Sequence, residues 1–187
     1  MPPEISPKLK NRLHALRSAF ERGRDIDLKK ISNDSINEAV LANDALLAEI
    51  AVLAYALNKL ISKRHVVMHP KWQVAKKSIL TNLDKAASAL GTGRAGQFAQ
   101  LLDAAGKDVG SVDMKMGNYV QNLLEKAKVK IASSAYAGGM SLGQSAALTG
   151  ADRKKLQSYI GFTKIHDEVV IGAGIRERLA KLKTLME

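Results

Sequence analysis

Arg153, Lys154, Lys155, Gln157 and Ser158 crowd one short stretch with side chains suited to a polyanion. The cations and the serine suit phosphates, whereas Arg153 and Gln157 suit base edges, arginine for guanine and glutamine for adenine. Such groups can read a duplex only from a helix whose other face is held down. Leu156, Tyr159 and Ile160 provide that packing face, and Asp152 is a good N-cap for it. Upstream, Ala146 and Gly150 stand four apart. That spacing suits the small residue where two helices cross and the glycine of the turn in a helix-turn-helix. The bland alternative is an αα-hairpin with a solvated basic face. Lys126, Lys128 and Lys130 on one side, and Arg176 and Arg178 on the other, add candidate phosphate contacts.

Other chemistry finds less support. Gly91-Thr92-Gly93-Arg94-Ala95-Gly96 matches the dinucleotide-binding pattern by letter, but that turn must follow a strand. Here it follows a helical pattern, so the expectation is an interhelical loop opened by a C-cap glycine. The chain has four histidines and no cysteine. Only His65 and His69 lie one helical turn apart, no HExxH arrangement is present, and no metal or other cofactor is expected. A serine nucleophile elbow is likewise missing. Absence of cysteine excludes disulfides and thiolate chemistry and fits a reducing, cytoplasmic setting.

The elements that position these groups read as helices. Aromatics are 4% of the 187 residues, and alanine is abundant, which favours close-packed helices over sheets. The net charge of +11 points to a polyanionic partner, nucleic acid being the usual one. The first thirty residues are charged throughout, without the apolar core of a secretory signal. The longest apolar run, residues 50–57, is too short for a membrane span.

Ser6 and Pro7 open a first helix carrying Leu9, Leu13, Leu16 and Phe20, with Gly23 at its end. Ser35 and Glu38 form a capping-box pattern that predicts a central apolar helix over 35–62. Pro70 starts a third helix with Trp72, Ile79, Leu83 and Leu90, and a short fourth is expected to stop at Gly106. A long helix is predicted over 113–136. Residues 163–171 lose helical periodicity, and Ile175, Leu179, Leu182 and Leu185 mark a closing amphipathic helix. The expected fold is all-α: a helical-bundle body over 1–112, then 113–187 with a long helix, a helix-turn-helix module and the terminal helix.

Two resemblances sharpen this reading. Residues 135–150, Ala-Tyr-Ala-Gly-Gly-Met-Ser-Leu-Gly-Gln-Ser-Ala-Ala-Leu-Thr-Gly, resemble the start of small prokaryotic, especially archaeal, helix-turn-helix proteins counted among candidate antitoxins. The likeness covers about residues 130–165 and implies a DNA-binding regulator or antitoxin-like role. Separately, Arg64 and His69, with four residues between, resemble the signature of the HEPN ribonucleases. That resemblance implies metal-independent RNA cleavage, with His69 as acid or base at the ribose 2′-oxygen and Arg64 stabilising phosphorane charge. The leading expectation is a non-enzymatic protein that binds nucleic acid, DNA rather than RNA, and has no membrane partner. A homodimer and a protein partner for the N-terminal body are compatible with it. The rivals are the ribonuclease and a structural helical protein bound to RNA or to a complex.

Overall fold

A computed structural model describes residues 7–92, 94–115 and 122–162. The described residues form an all-α fold of nine helices without a strand. They are α1 (Pro7–Glu21), α2 (Asp25–Ala42), α3 (Ala45–Ile61), α4 (Arg64–Val67) and α5 (Trp72–Gly91). α6 (Ala95–Lys115), α7 (Leu123–Ala137), α8 (Leu142–Thr149) and α9 (Arg153–Phe162) follow. The predicted irregular stretch at 163–171 and the closing helix with Arg176 and Arg178 lie outside the described residues. No described helix is long and apolar enough to cross a membrane.

The core forms around α3, whose sequence is apolar on nearly every side. Leu47, Ile50, Leu53, Leu57 and Leu60 are buried, and so are Ala48, Ala51, Ala54 and Ala56 between them. Small residues let α2 approach closely, and the Ser32 hydroxyl of α2 donates to the Ala51 carbonyl at 2.8 Å. Leu9, Leu13, Leu16 and Phe20 recur at helical spacing and bury one face of α1. Phe20 meets the Trp72 ring edge-on at 6.1 Å, joining α1 to α5. α5 and α6 pair side by side, with Ser78 and Asn82 both donating to the Asp108 carboxylate at 2.7 and 2.9 Å.

Three boundaries differ from the sequence expectation. No helix begins at Ser35, which lies buried in the middle of α2, its hydroxyl without a partner among the described residues. Glu38, its expected capping partner, instead accepts from Arg12 of α1 at 2.7 Å. The break falls at Asn43, which adopts the left-handed conformation at φ 50°, and at Asp44. The Asp44 carboxylate accepts from the N–H groups of Leu46 and Leu47, at 2.9 and 3.2 Å, and so caps α3.

Gly106 does not stop α6, because its role is packing. A Cβ there would lie 3.3 Å from a Leu124 methyl, so glycine lets α7 come close. The helix expected over 113–136 is also divided. Residue 113 belongs to the end of α6, and α7 starts anew after Asn122, whose φ is +62°.

α7 has two apolar faces. Leu123, Ala127, Ile131 and Ala135 join the main core, while Val129 and Ala132 face a second cluster with Ala146 and Leu156. The capping assignment is open to direct measurement in urea unfolding. Asp44→Ala should cost about 1 kcal/mol by removing a cap. Ser35→Ala should be neutral or stabilising, because it removes a buried hydroxyl that lacks a partner. Equal losses would return the helix start to Ser35.

Candidate nucleic-acid interface

α7, α8 and α9 form a three-helix unit whose local signals are strong. Ser141 and Gln144 make a reciprocal capping box at the start of α8. The Gln144 N–H donates to Ser141 Oγ at 3.2 Å, and the Ser141 N–H donates to Gln144 Oε1 at 3.0 Å. This pair was readable in the sequence as serine followed three residues later by glutamine, and it supplements the turn signals. Gly150 ends α8 at φ +66°, and the Ala151 N–H returns to the Ala146 carbonyl at 3.1 Å. Asp152 then caps α9, its carboxylate accepting from the Lys155 N–H at 2.8 Å.

α9 carries one fully buried side chain, Leu156. Tyr159 and Ile160 are half-buried against the cluster formed by Val129, Ala132, Ala146 and Leu156. Arg153, Lys154, Lys155, Gln157 and Ser158 are all exposed. Lys155 reaches Glu125 of α7 at 3.9 Å, a solvent-exposed pair that contributes little. Arg153 and Lys154 have no acidic partner among the described residues. The face therefore combines free cations with an amide and a hydroxyl.

The three α7 lysines do not share one environment. Lys126 is exposed on the same side as Lys130, one turn further along. Lys130 is half-buried, and burial, with the charge of Lys59 on α3 adding to it, holds its ammonium below the usual lysine range. Lys128 points elsewhere: its Nζ pairs with Glu125 at 3.5 Å and comes near the Gly150 turn. Close by, Lys59 sits over the Tyr55 ring at 5.4 Å. Burial, together with neighbouring Tyr159, raises the Tyr55 hydroxyl above the ordinary tyrosine range. Tyr55 and Lys59 of α3 thus lie near enough to Tyr159 and Lys130 for their charges to matter.

Arg64 and His69 lie apart from this unit in the chain. Arg64 is exposed at the start of α4, and His69 is half-buried just beyond it. The His69 Nδ1 accepts from the Lys71 N–H at 3.2 Å, which leaves Nε2 as the ring's other polar atom. The stretch that begins at Arg64 is one helical turn, ended by Met68. At the glycine-rich segment, the Arg94 N–H donates to the Ala89 carbonyl at 3.1 Å, between α5 and α6. No strand precedes it, since α5 does. Among the described residues no cluster of three or more His, Cys, Asp or Glu side chains could hold a metal.

Set against family models, curated proteins and solved structures, the chain matches none of them. Geometry is therefore the ground for a functional reading. The α8–α9 turn is the most exacting local feature of the unit, and it can be tested alone. A Cβ on Gly150 would meet nothing nearer than Lys128 Nζ at 4.0 Å, so space is not limiting. Gly150→Val should nonetheless cost about 2 kcal/mol, because a β-branched residue resists the left-handed conformation. Thermal unfolding followed by circular dichroism reads this loss, and a variant as stable as the parent would remove the turn constraint.

Proposed function

We propose that this protein binds duplex DNA through α9, as a regulator or antitoxin-like protein without catalysis of its own. α8 would serve as the supporting helix and α9 as the helix laid in the major groove. The observation that carries this reading is the asymmetry of α9. One buried leucine and two half-buried residues hold it, while Arg153, Lys154, Gln157 and Ser158 face solvent.

Phosphate contacts from Lys126, Lys130, Lys154, Lys155 and Ser158 would supply orientation and most of the affinity. Arg176 and Arg178 could add to them. Lys128 contributes less directly in this reading, because it is engaged by Glu125. Arg153 and Gln157 would discriminate bases. The net charge of +11 favours association with any polyanion, so the helix face, not the charge, supplies the argument for sequence reading.

Selection from a random duplex pool, with total RNA as competitor, should enrich a motif. If about six phosphates are neutralised, affinity should fall roughly a thousandfold between 50 and 200 mM salt. Gln157→Ala should weaken the enriched site by about 1–3 kcal/mol and change binding to random DNA little. Equal weakening on both would mean that α9 touches backbone alone. RNA capture without DNA enrichment would replace this reading with the RNA-associated one. Metal-independent RNA cleavage lost in both Arg64→Ala and His69→Ala would replace it with the ribonuclease.

A further inference from the structure

A cavity of about 230 Å³ lies between the body and the three-helix unit. Val52 of α3, Leu102 of α6, Leu124 of α7 and Leu148 of α8 make its walls apolar, and Gly150 of the α8–α9 turn borders it. Three charged side chains face it: Glu49 of α3, Asp103 of α6 and Lys128 of α7. Two of these have their own partners. Asp103 pairs with Lys107 at 2.7 Å, and Lys128 pairs with Glu125 at 3.5 Å.

Glu49 has neither an ion pair nor a hydrogen bond among the described residues. Burial, with Asp103 adding to it and Lys128 opposing, pushes its carboxyl up to about 7. α8 brings only the uncharged Leu148 and Thr149 to the cavity. In a chain of net charge +11, this is an apolar space with an unpartnered carboxyl and a second acid beside it.

We infer that the cavity is a binding site for a small organic ammonium ion, whose charge pairs with Glu49 and whose apolar body lies against Val52, Leu102, Leu124 and Leu148. A benzene-sized guest fills an apolar cavity of about 150 Å³, so this one has room for roughly nine non-hydrogen atoms. A metal ion fits less well, because only two carboxylates reach the space and most of its wall is hydrocarbon. A bound ammonium gives the Glu49 carboxylate a charged donor in place of solvent, which stabilises its ionised form. The Gly150 turn forms part of the wall, so occupancy also bears on how α9 is held. The inference concerns the ligand site itself and does not depend on whether α9 reads DNA.

The test uses the full chain with 2-phenylethylamine and its neutral counterpart 2-phenylethanol, titrated by amide chemical shifts and by calorimetry. The amine should bind about tenfold or more tighter than the alcohol, with shifts centred on Glu49, Leu102, Leu148 and Gly150. Its affinity should rise about tenfold from pH 6 to pH 8, following ionisation of a carboxyl at about 7 while the amine stays protonated.

Glu49→Gln should abolish both the preference and the pH dependence, and Glu49→Asp should keep the preference. The glutamine variant should fold. A carboxyl raised in the folded state contributes stability that is complete below its ordinary range and lost as pH rises through about 7. An uncharged amide escapes that loss. Equal binding of amine and alcohol, a flat pH response, or shifts centred elsewhere would each overturn the inference. If Glu49→Gln does not fold, the two probes and the pH series on the parent chain still decide it.

Discussion

α7 must be buried on two sides at once, and the rest of the structure depends on that requirement. Leu123, Ala127, Ile131 and Ala135 lock one face into the core built around α3. Val129 and Ala132, on another face, are the floor on which α8 and α9 rest. A helix with two apolar faces has little circumference left for charge. Its cations therefore concentrate at Lys126 and Lys130, with Lys128 turned toward the α8–α9 turn. The small alanines at 127, 132 and 135 matter as much as the branched residues. They let three layers of helix approach α7 closely without enlarging the core.

Charge is partitioned accordingly. Several acidic groups are held in defined contacts, Glu38 with Arg12, Asp108 with Ser78 and Asn82, and the exposed Asp103 with Lys107, whereas Glu49 is the exception. Among the described residues, cations on the outward face of α9 are left without acidic partners, apart from the long Lys155–Glu125 contact. A short helix carrying Arg153, Lys154 and Lys155 in its first turn opposes its own macrodipole, since positive charge is unfavourable at a helix N-terminus. Asp152 offsets part of that cost as the N-cap, and Leu156 supplies the packing. Sequence chosen for helix stability alone would not place three cations there.

What was legible in the sequence follows from how local each determinant is. Leu9, Leu13, Leu16 and Phe20 declared the buried face of α1 because their spacing is the helix period itself. Gly150, Asp152 and Leu156 were readable for the same reason: turn, cap and packing residue lie within one short segment. Ser35 misled because a capping-box pattern is only two letters, and Glu38 found a better partner in Arg12, on another helix. Gly106 misled because its purpose is contact with Leu124, eighteen residues later, which no local pattern encodes. The three α7 lysines read as one cluster, yet a helix turns 100° per residue. Lys128 therefore faces a different neighbour from Lys126. The Glu49 cavity left no trace in sequence, because four separate helices contribute its walls.

The free energy that holds α9 in place is small, and this has a consequence for binding. Its ten residues are too few for an isolated helix to persist in water. One fully buried leucine, two half-buried neighbours and a cap must offset both backbone ordering and the repulsion among adjacent cations. A polyanion laid against Arg153, Lys154 and Lys155 would remove the repulsion and complement the positive end of the helix dipole. Binding of that kind would strengthen the docking of α9 as well as add contacts. The same helix would resist apolar partners on this face, where burial would strand three charges. On the reading proposed above, the pattern of burial would favour an anionic partner over an apolar one before any base contact contributed.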